Sequence, residues 1–393
     1  MTHTPHTPGV QRLNEFGQTI FATMSAKAAE FHAVNLGQGF PESDGPAAML
    51  ERAQQEIAQG NNQYAPARGI PRLRQAIASA RERHFGVSYD PDTEVLVTVG
   101  ATEAISATIL GLVEPGEDVL VFEPYYDSYA ASIALAGARR IAAVPLIPDG
   151  RSWTLDIDAF TAALTPRTSM VIINSPHNPT GAVFDEQTLK AFASVCAEHD
   201  LLVLSDEAYE HYTFGDHSHL PVASLPGMRE RTITVSSAAK TFNVTGWKTG
   251  WALAPAPLLN AVFKAKQFMS YVGATPFQPA VAYALDHEDA WIHSTVAETE
   301  AKGILPSDGL RQAGFNVYDT HGAFYVVADI SSMTDKTGNQ FCLDLPQEKG
   351  VAAIPIEPFT GSSVGWSSAV RFAYCRDRQE ILTAIERLIA PVC

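Results

Sequence analysis

The chain is poor in features that would tie it to a special environment. It has only four cysteines, Cys196, Cys342, Cys375 and Cys393, scattered with no zinc-binding spacing and no disulfide framework. Reduced thiols and a cytoplasmic setting are therefore expected. No run approaches the ~20 apolar residues of a membrane span, and the opening MTHTPHTPGVQRLNEF lacks the apolar core of a signal peptide. Basic residues are in deficit, 27 against 43 acidic for a net charge of −16, which argues against nucleic-acid and membrane-surface binding. The twelve histidines form no HExxH or comparable helical pair; His3, His6, His217 and His219 read as exposed or loop positions, so no metal site is expected. Neither a Walker lysine motif nor GxGxxG is present, so neither a nucleoside triphosphate nor a dinucleotide is indicated. Internal repeats and low-complexity linkers are missing as well.

What is present is a soluble globular composition, 46% hydrophobic and 18% charged, in 393 residues. That length suits two or three domains. From Glu94 short apolar strands alternate with helical patterns: Glu94–Val99, Val119–Glu123, Arg140–Leu146, Ser169–Ile173, Leu201–Ser205, Thr232–Ser236 and Gly250–Leu253, with helices such as Ile105–Val113 and Glu186–His199 between. Such alternation indicates an α/β fold, a mostly parallel seven-stranded sheet with helices on both faces. After about His287 the pattern changes to a long helix, Ala290–Gln312, strand-like Phe315–Tyr318, Ala323–Ala328 and Ala369–Tyr374, and a closing helix Arg378–Leu388. We expect an N-terminal arm over 1–45 that shares a small α+β domain with 288–393, and a large domain over 46–287.

In a parallel sheet ligands collect at the carboxyl ends of strands, and the polar features of this chain fall there. Gly100-Ala101-Thr102 opens a helix whose free N–H groups and dipole suit a phosphate. Tyr126 follows the next strand and would lie flat on an aromatic ligand. Asn174–Gly181, NSPHNPTG, is a dense turn; Asp206 ends a buried strand and needs a cationic partner, with Tyr209 three residues on. In Thr232–Pro255, Lys240 sits among small and apolar neighbours that would depress its pKa and suit it to imine formation with an aldehyde cofactor. Taken alone, Lys240 and Lys248 are more simply explained as snorkelling from an ordinary loop. Other stretches stay ambiguous too. Val34–Pro46 is either a close approach of backbone to ligand or a tight turn into the helix of Ala47–Ile57. Tyr64, ahead of a helix from about Pro71 to Phe85, is a possible donor or mere surface packing. Phe21 and Met24 read by default as a core stripe.

Together the segments VNLGQGFP, NSPHNPTG, SDEAYEH, SSAAKTFNVTGWKTGW and VRFAYC resemble, in order and spacing, the fold-type I pyridoxal-phosphate (PLP) aminotransferases of class I/II. The likeness runs from about Phe21 to Leu388 and is nearest the subgroup holding kynurenine, methionine and N-succinyldiaminopimelate aminotransferases. It implies a large PLP-binding domain with a small α+β domain, and ping-pong amino transfer from an L-amino acid to a 2-oxo acid. Lys240 is then the Schiff-base lysine and proton carrier, Asp206 the partner of the pyridine nitrogen, and Tyr209 and Asn178 the partners of the ring oxygen. The phosphate falls to Ala101, Thr102, Ser237 and Lys248, with Tyr64 from a partner subunit of a homodimer. Tyr126 stacks on the ring. Arg371, helped by Gly39 and Asn178, takes the substrate α-carboxylate, and Phe21 lines the side-chain pocket. Lys248, where many members carry arginine, matches the kynurenine subgroup. Gln267–Gln278, QFMSYVGATPFQ, resembles the succinyldiaminopimelate enzymes and is expected to contribute to the pocket. The substrate pair so implied is N-succinyl-LL-diaminopimelate and 2-oxoglutarate. The alternative is a kynurenine-, glutamine- or methionine-type enzyme with cysteine-conjugate β-lyase side activity. With only twenty residues ahead of Phe21, a DNA-binding regulator built on this fold is disfavoured.

Overall fold

The apolar runs of the middle of the chain form one central sheet, because a strand with side chains buried on both faces cannot lie on the surface. The structure, a computed structural model, describes residues 9–140, 144–361 and 365–391. His3, His6 and Cys393 lie outside the described residues, as does the middle of the expected strand Arg140–Leu146. The sheet runs in the order Val95–Val99, Thr249–Leu253, Thr232–Ser237, Leu202–Asp206, Thr168–Asn174, Asp118–Glu123 and Arg139–Arg140. Val144–Pro145 pairs with the far end of Asp118–Glu123, so Arg139–Arg140 and Val144–Pro145 share one edge position. All neighbours are parallel except Thr249–Leu253, which is antiparallel to both of its own.

Side-chain alternation sorts the strand residues onto the two faces of the sheet, where they join three hydrophobic clusters. Val119, Val121, Met170, Ile172, Leu204, Ile233 and Val235 pack under the helices Gly100–Leu112, Ser128–Ala136 and Ala256–Lys266. Leu120, Phe122, Val171, Ile173 and Val203 face Ile157–Ala163 and Glu186–Glu198 instead. Val95, Val97, Trp251 and Leu253 meet Ala47–Ala58, Pro71–Phe85 and Phe277–His287. Local chemistry fixes the helix ends. Asp185 and Thr337 side chains accept from Thr188 and Gln340 backbone N–H groups, Pro71 sits in a first turn, and Gly86 takes the left-handed conformation that closes a last turn.

A second sheet, Asn316–Val317, Tyr325–Asp329, Ala369–Ala373 and Ile354–Pro355, carries the C-terminal section with the helices Asp289–Gln312, Gly338–Lys349 and Arg378–Ile389. The N-terminal helix Ile20–Glu30 packs into this core through Met24 and Ala28, and Val34–Asn35 pairs in parallel with Val351–Ala352. The helix Gly338–Lys349 and the pair at Val351 were not anticipated from sequence. Met24 is buried, whereas Phe21 is half-buried, packing against the same core and also lining a cleft. Among the described residues no helix is long and apolar enough to cross a membrane.

Candidate active site

The carboxyl ends of the central strands open into a cleft of about 290 Å³ between the two sheets. Of the residues singled out above, Phe21, Gly39, Ala101, Thr102, Tyr126, Asn178, Asp206, Tyr209, Ser237, Lys240, Lys248 and Arg371 all line it. Tyr64 does not: it is 83% exposed and lies edge-on to Tyr271. No residue of Gln267–Gln278 lines the cleft of its own chain either, contrary to the expected pocket contribution.

At one end Gly100, with φ +73°, turns the strand Val95–Val99 directly into the helix, which begins five residues earlier than the apolar pattern suggested. The first-turn N–H groups at Ala101 and Thr102 have no intrahelical acceptor. Lys248 closes this end, its own backbone left-handed at φ 49°. A Cβ placed on Gly100 would sit 3.2 Å from the Lys248 ammonium, and one on Gly250 would come within 2.5 Å of the Gly100 carbonyl carbon. Glycine is required there because two backbones cross at the cradle.

Asp206 lies at the floor. Tyr129 donates its hydroxyl proton to Asp206 Oδ2 at 2.7 Å, and the Ala208 N–H donates to Oδ1 at 3.1 Å. Among the described residues no cation is ion-paired with this carboxylate, and burial raises its pKa in spite of the Tyr129 hydrogen bond. Lys240 stands on the short helix Ala238–Thr241 that follows Thr232–Ser237, and its ammonium donates to the Gly39 carbonyl. Burial lowers its pKa to about 8. Burial raises the pKa of Tyr126. The Tyr209 and Tyr325 hydroxyls share a hydrogen bond of 2.6 Å.

At the other end Arg371, 1% exposed, donates to Asn178 Oδ1 at 3.0 Å and to the Gly37 carbonyl at 2.7 Å. Its Nε has no partner, and among the described residues no carboxylate forms an ion pair with it. The rings of Tyr325 and Phe21 flank it at 4.2 and 5.3 Å. Asn174 holds the turn beneath: its Oδ1 accepts from the Asn178 N–H at 2.7 Å, and its Nδ2 donates to the Asp206 carbonyl at 2.8 Å. Any side chain at Gly39 would collide with the Tyr325 hydroxyl.

Tyr129 and Tyr325 escaped the sequence reading, and Asn174 was read as part of the dense turn without a role of its own. Tyr129 follows Tyr126 at helical spacing, which was the available signal; Tyr325 lies in an ordinary apolar strand with none. His219 is corrected as well. Its side chain is only 2% exposed and lies 2.8 Å from Glu207, within a buried cluster in which Arg81 also pairs with Glu207 and Glu210. Glu207, Glu210 and His219 stand close enough to share a metal ion. Arg81 already supplies the positive charge there. Ser205 and Ser236 donate to the same carboxylates at 2.8 and 2.7 Å.

The donor set fits PLP. One end offers N–H groups, a hydroxyl and a lysine for a phosphate; the floor offers a carboxylate lacking a cation; the lysine of lowered pKa stands between; and the far end holds an unneutralised guanidinium for a carboxylate. A cleft of this kind on this mixed sheet defines a fold-type I PLP-dependent enzyme. The sequence profile described as aminotransferase class I and II matches residues 32–388. A probable N-succinyldiaminopimelate aminotransferase of Mycobacterium tuberculosis is 52% identical over 387 residues, covering 96% of this chain and 97% of that protein. The solved structure of the N-succinyldiaminopimelate aminotransferase of that organism superposes with a TM-score of 0.95 at 53% identity, over 97% of this chain and 99% of the other. A methionine aminotransferase of Escherichia coli is 38% identical over 390 residues, 99% of each chain. The chain belongs to the class I and II aminotransferases, PLP-dependent enzymes that move an amino group between an amino acid and a 2-oxo acid.

Proposed function

We propose that this aminotransferase works on N-succinyl-LL-diaminopimelate and 2-oxoglutarate, in the cytoplasm, as a homodimer whose large domain spans residues 46–287. The observation that carries amino transfer is the juxtaposition of Lys240, of lowered pKa, with a cation-free Asp206 and a carboxylate-free Arg371. The substrate assignment is supported by the likeness to the Mycobacterium tuberculosis enzyme.

When bound, PLP supplies an electrophilic aldehyde and a ring that accepts the electron pair left at the substrate Cα. Lys240 Nζ would take the proton from the substrate Cα and carry it to the cofactor C4′ on the same side; a pKa of about 8 suits a base that works near neutral pH. Asp206 holds a proton on the pyridine nitrogen, and Tyr129 keeps that carboxylate oriented. Tyr209 and Asn178 serve the ring oxygen, and Tyr126 covers the ring face. Ala101, Thr102, Ser237 and Lys248 hold the phosphate. Arg371 clamps the α-carboxylate through its planar fork with Gly39 beside it, and Phe21 excludes water from the side-chain end. Tyr64 of the partner subunit completes the phosphate site. The exposure of Tyr64 and of Tyr271 beside it supports this pairing, and a fully active monomer in sedimentation at assay concentration would refute it.

The test is a half-reaction screen of amino donors, followed by absorbance as the cofactor converts to its amine form. N-succinyl-LL-diaminopimelate should convert it fastest, and Lys240→Ala should abolish conversion. A preference for kynurenine or methionine, or release of pyruvate and ammonia from cysteine conjugates, would replace the substrate assignment. Near-normal turnover by Lys240→Ala would overturn the mechanism.

A further inference from the structure

Away from the cleft, Lys266 ends the helix Ala256–Lys266 and is 0% exposed. An ammonium so placed normally finds a carboxylate. Among the described residues none forms an ion pair with it. Its Nζ instead donates to two backbone carbonyls, those of Ala67 at 2.9 Å and of Tyr271. These belong to two different loops, the Tyr64 loop over 59–70 and the segment 267–276.

Two further buried or half-buried groups link the same loops. Gln278, also 0% exposed, accepts from the Ile70 N–H at 2.8 Å through Oε1 and donates to the Gly273 carbonyl at 2.8 Å through Nε2. Thr275 Oγ1 accepts from the Ala65 N–H at 3.2 Å. Underneath, the paired loops lie flat on the strand Val95–Val99. A Cβ on Gly69 would collide with Val97, and one on Gly273 would come 2.7 Å from Val99. That strand runs straight into Gly100-Ala101-Thr102. Glu103 ties the corner, its carboxylate accepting from the Val99 N–H at 2.6 Å and acting on the Lys266 charge. Phe277 stacks on Trp247, the neighbour of Lys248, at 4.5 Å. The outward faces of the two loops present Tyr64 and Tyr271, with centroids 5.6 Å apart.

We propose that Lys266 is a positioning residue for the cofactor phosphate, a buried staple that holds the Tyr64 loop and segment 267–276 as one unit against the strand leading into the phosphate cradle. The inference rests on the reading that Tyr64 serves the phosphate of the partner subunit. A lysine suits the role because one side chain supplies several donors to carbonyls that no water reaches. A methionine of similar length would fill the space and leave both carbonyls unserved.

The experiment compares wild type, Lys266→Met, Gln278→Met and Tyr64→Phe as full-length holoenzymes at saturating PLP. Amide exchange is followed by mass spectrometry, and the PLP dissociation constant by equilibrium dialysis. Lys266→Met should speed exchange about tenfold in 59–70 and 267–276 together, leave the strands Leu202–Asp206 and Thr232–Ser237 at wild-type rates, and weaken PLP binding about tenfold. The kcat at saturating PLP should stay within about twofold, because no reacting atom is touched. Gln278→Met should loosen the same two segments to a smaller degree, and it decides the matter by the same criteria if Lys266→Met does not fold. Tyr64→Phe should weaken PLP binding without altering exchange. If it leaves binding unchanged, the trans-tyrosine reading fails while the exchange result still judges the staple. Unchanged exchange in the two loops, acceleration spread evenly through the sheet, or faster loops with unaltered PLP binding would each overturn the proposal.

Discussion

Arg371 and Arg81 are both sealed from solvent, yet only one of them is neutralised. Behind the Leu202–Asp206 strand end, Arg81 pairs with Glu207 and Glu210, with His219, Ser205 and Ser236 completing the carboxylates' shells. Burial opposes the Arg81 charge, but the two carboxylates outweigh it and raise its pKa. In the cleft, Arg371 has only an amide oxygen and a carbonyl, and among the described residues no carboxylate pairs with it. The difference separates structure from function more sharply than burial does. A closed ion network holds a fold together, whereas a buried charge left open on the wall of a cleft can receive a ligand of opposite sign. Asp206 obeys the same logic with the opposite sign.

Two substitutions put the contrast at risk. The larger effect is expected from Arg371→Gln. It removes two charge-assisted hydrogen bonds to a carboxylate, each about 1.5–3 kcal/mol, so kcat/KM should fall by about 10²- to 10⁴-fold. The melting temperature should not drop, since the residue lost had no ion partner in the folded chain. A matching loss of stability would break the comparison. The smaller effect on chemistry, and the larger on folding, belongs to Arg81→Met. Leaving Glu207 and Glu210 buried without their cation should cost about 3–5 kcal/mol of unfolding free energy in denaturant titration. Activity per folded molecule should stay near wild type, and adding Glu207→Gln and Glu210→Gln should recover much of the stability. An Arg81→Met protein of full stability but little activity would erase the distinction.

Much of this was legible before any coordinates. The strands announced themselves as apolar runs, since a strand covered on both faces cannot alternate, and their ends came within one or two residues for Asp118–Glu123, Thr168–Asn174 and Leu202–Asp206. The cleft residues were legible because each clamps a different edge of one flat molecule from a short turn of distinctive composition. What stayed hidden depends on distance in sequence. Arg81 gives no local sign that it will meet Glu207 and Glu210, 126 and 129 residues away. Tyr325 looks like any apolar-strand residue until its hydroxyl meets that of Tyr209. The two-sided role of the helix Ile20–Glu30 showed only through the family likeness: nothing local to Met24 and Phe21 says that one will be buried and the other will also line the cleft.

The reversed direction of Thr249–Leu253 bears on how the chain tolerates changes in length. Its pairing with Thr232–Ser237 sets Ser237 opposite Gly250 and Ser236 opposite Trp251. Both faces of that hairpin are packed, so a slip of one residue would turn every side chain toward the wrong core. Lys240 and Lys248 hang from the two rails of this ladder, one just past the end of the first strand and the other just before the second. Loops elsewhere on a protein absorb inserted residues at small entropic expense. Here a single residue added between Ser237 and Lys240, or between Lys248 and Thr249, would leave the sheet in register and carry one lysine out of step, with the reacting carbon in the first case and with the phosphate in the second. These two short junctions are therefore gauged by length, and the stretch between Thr241 and Trp247 is the freer variable.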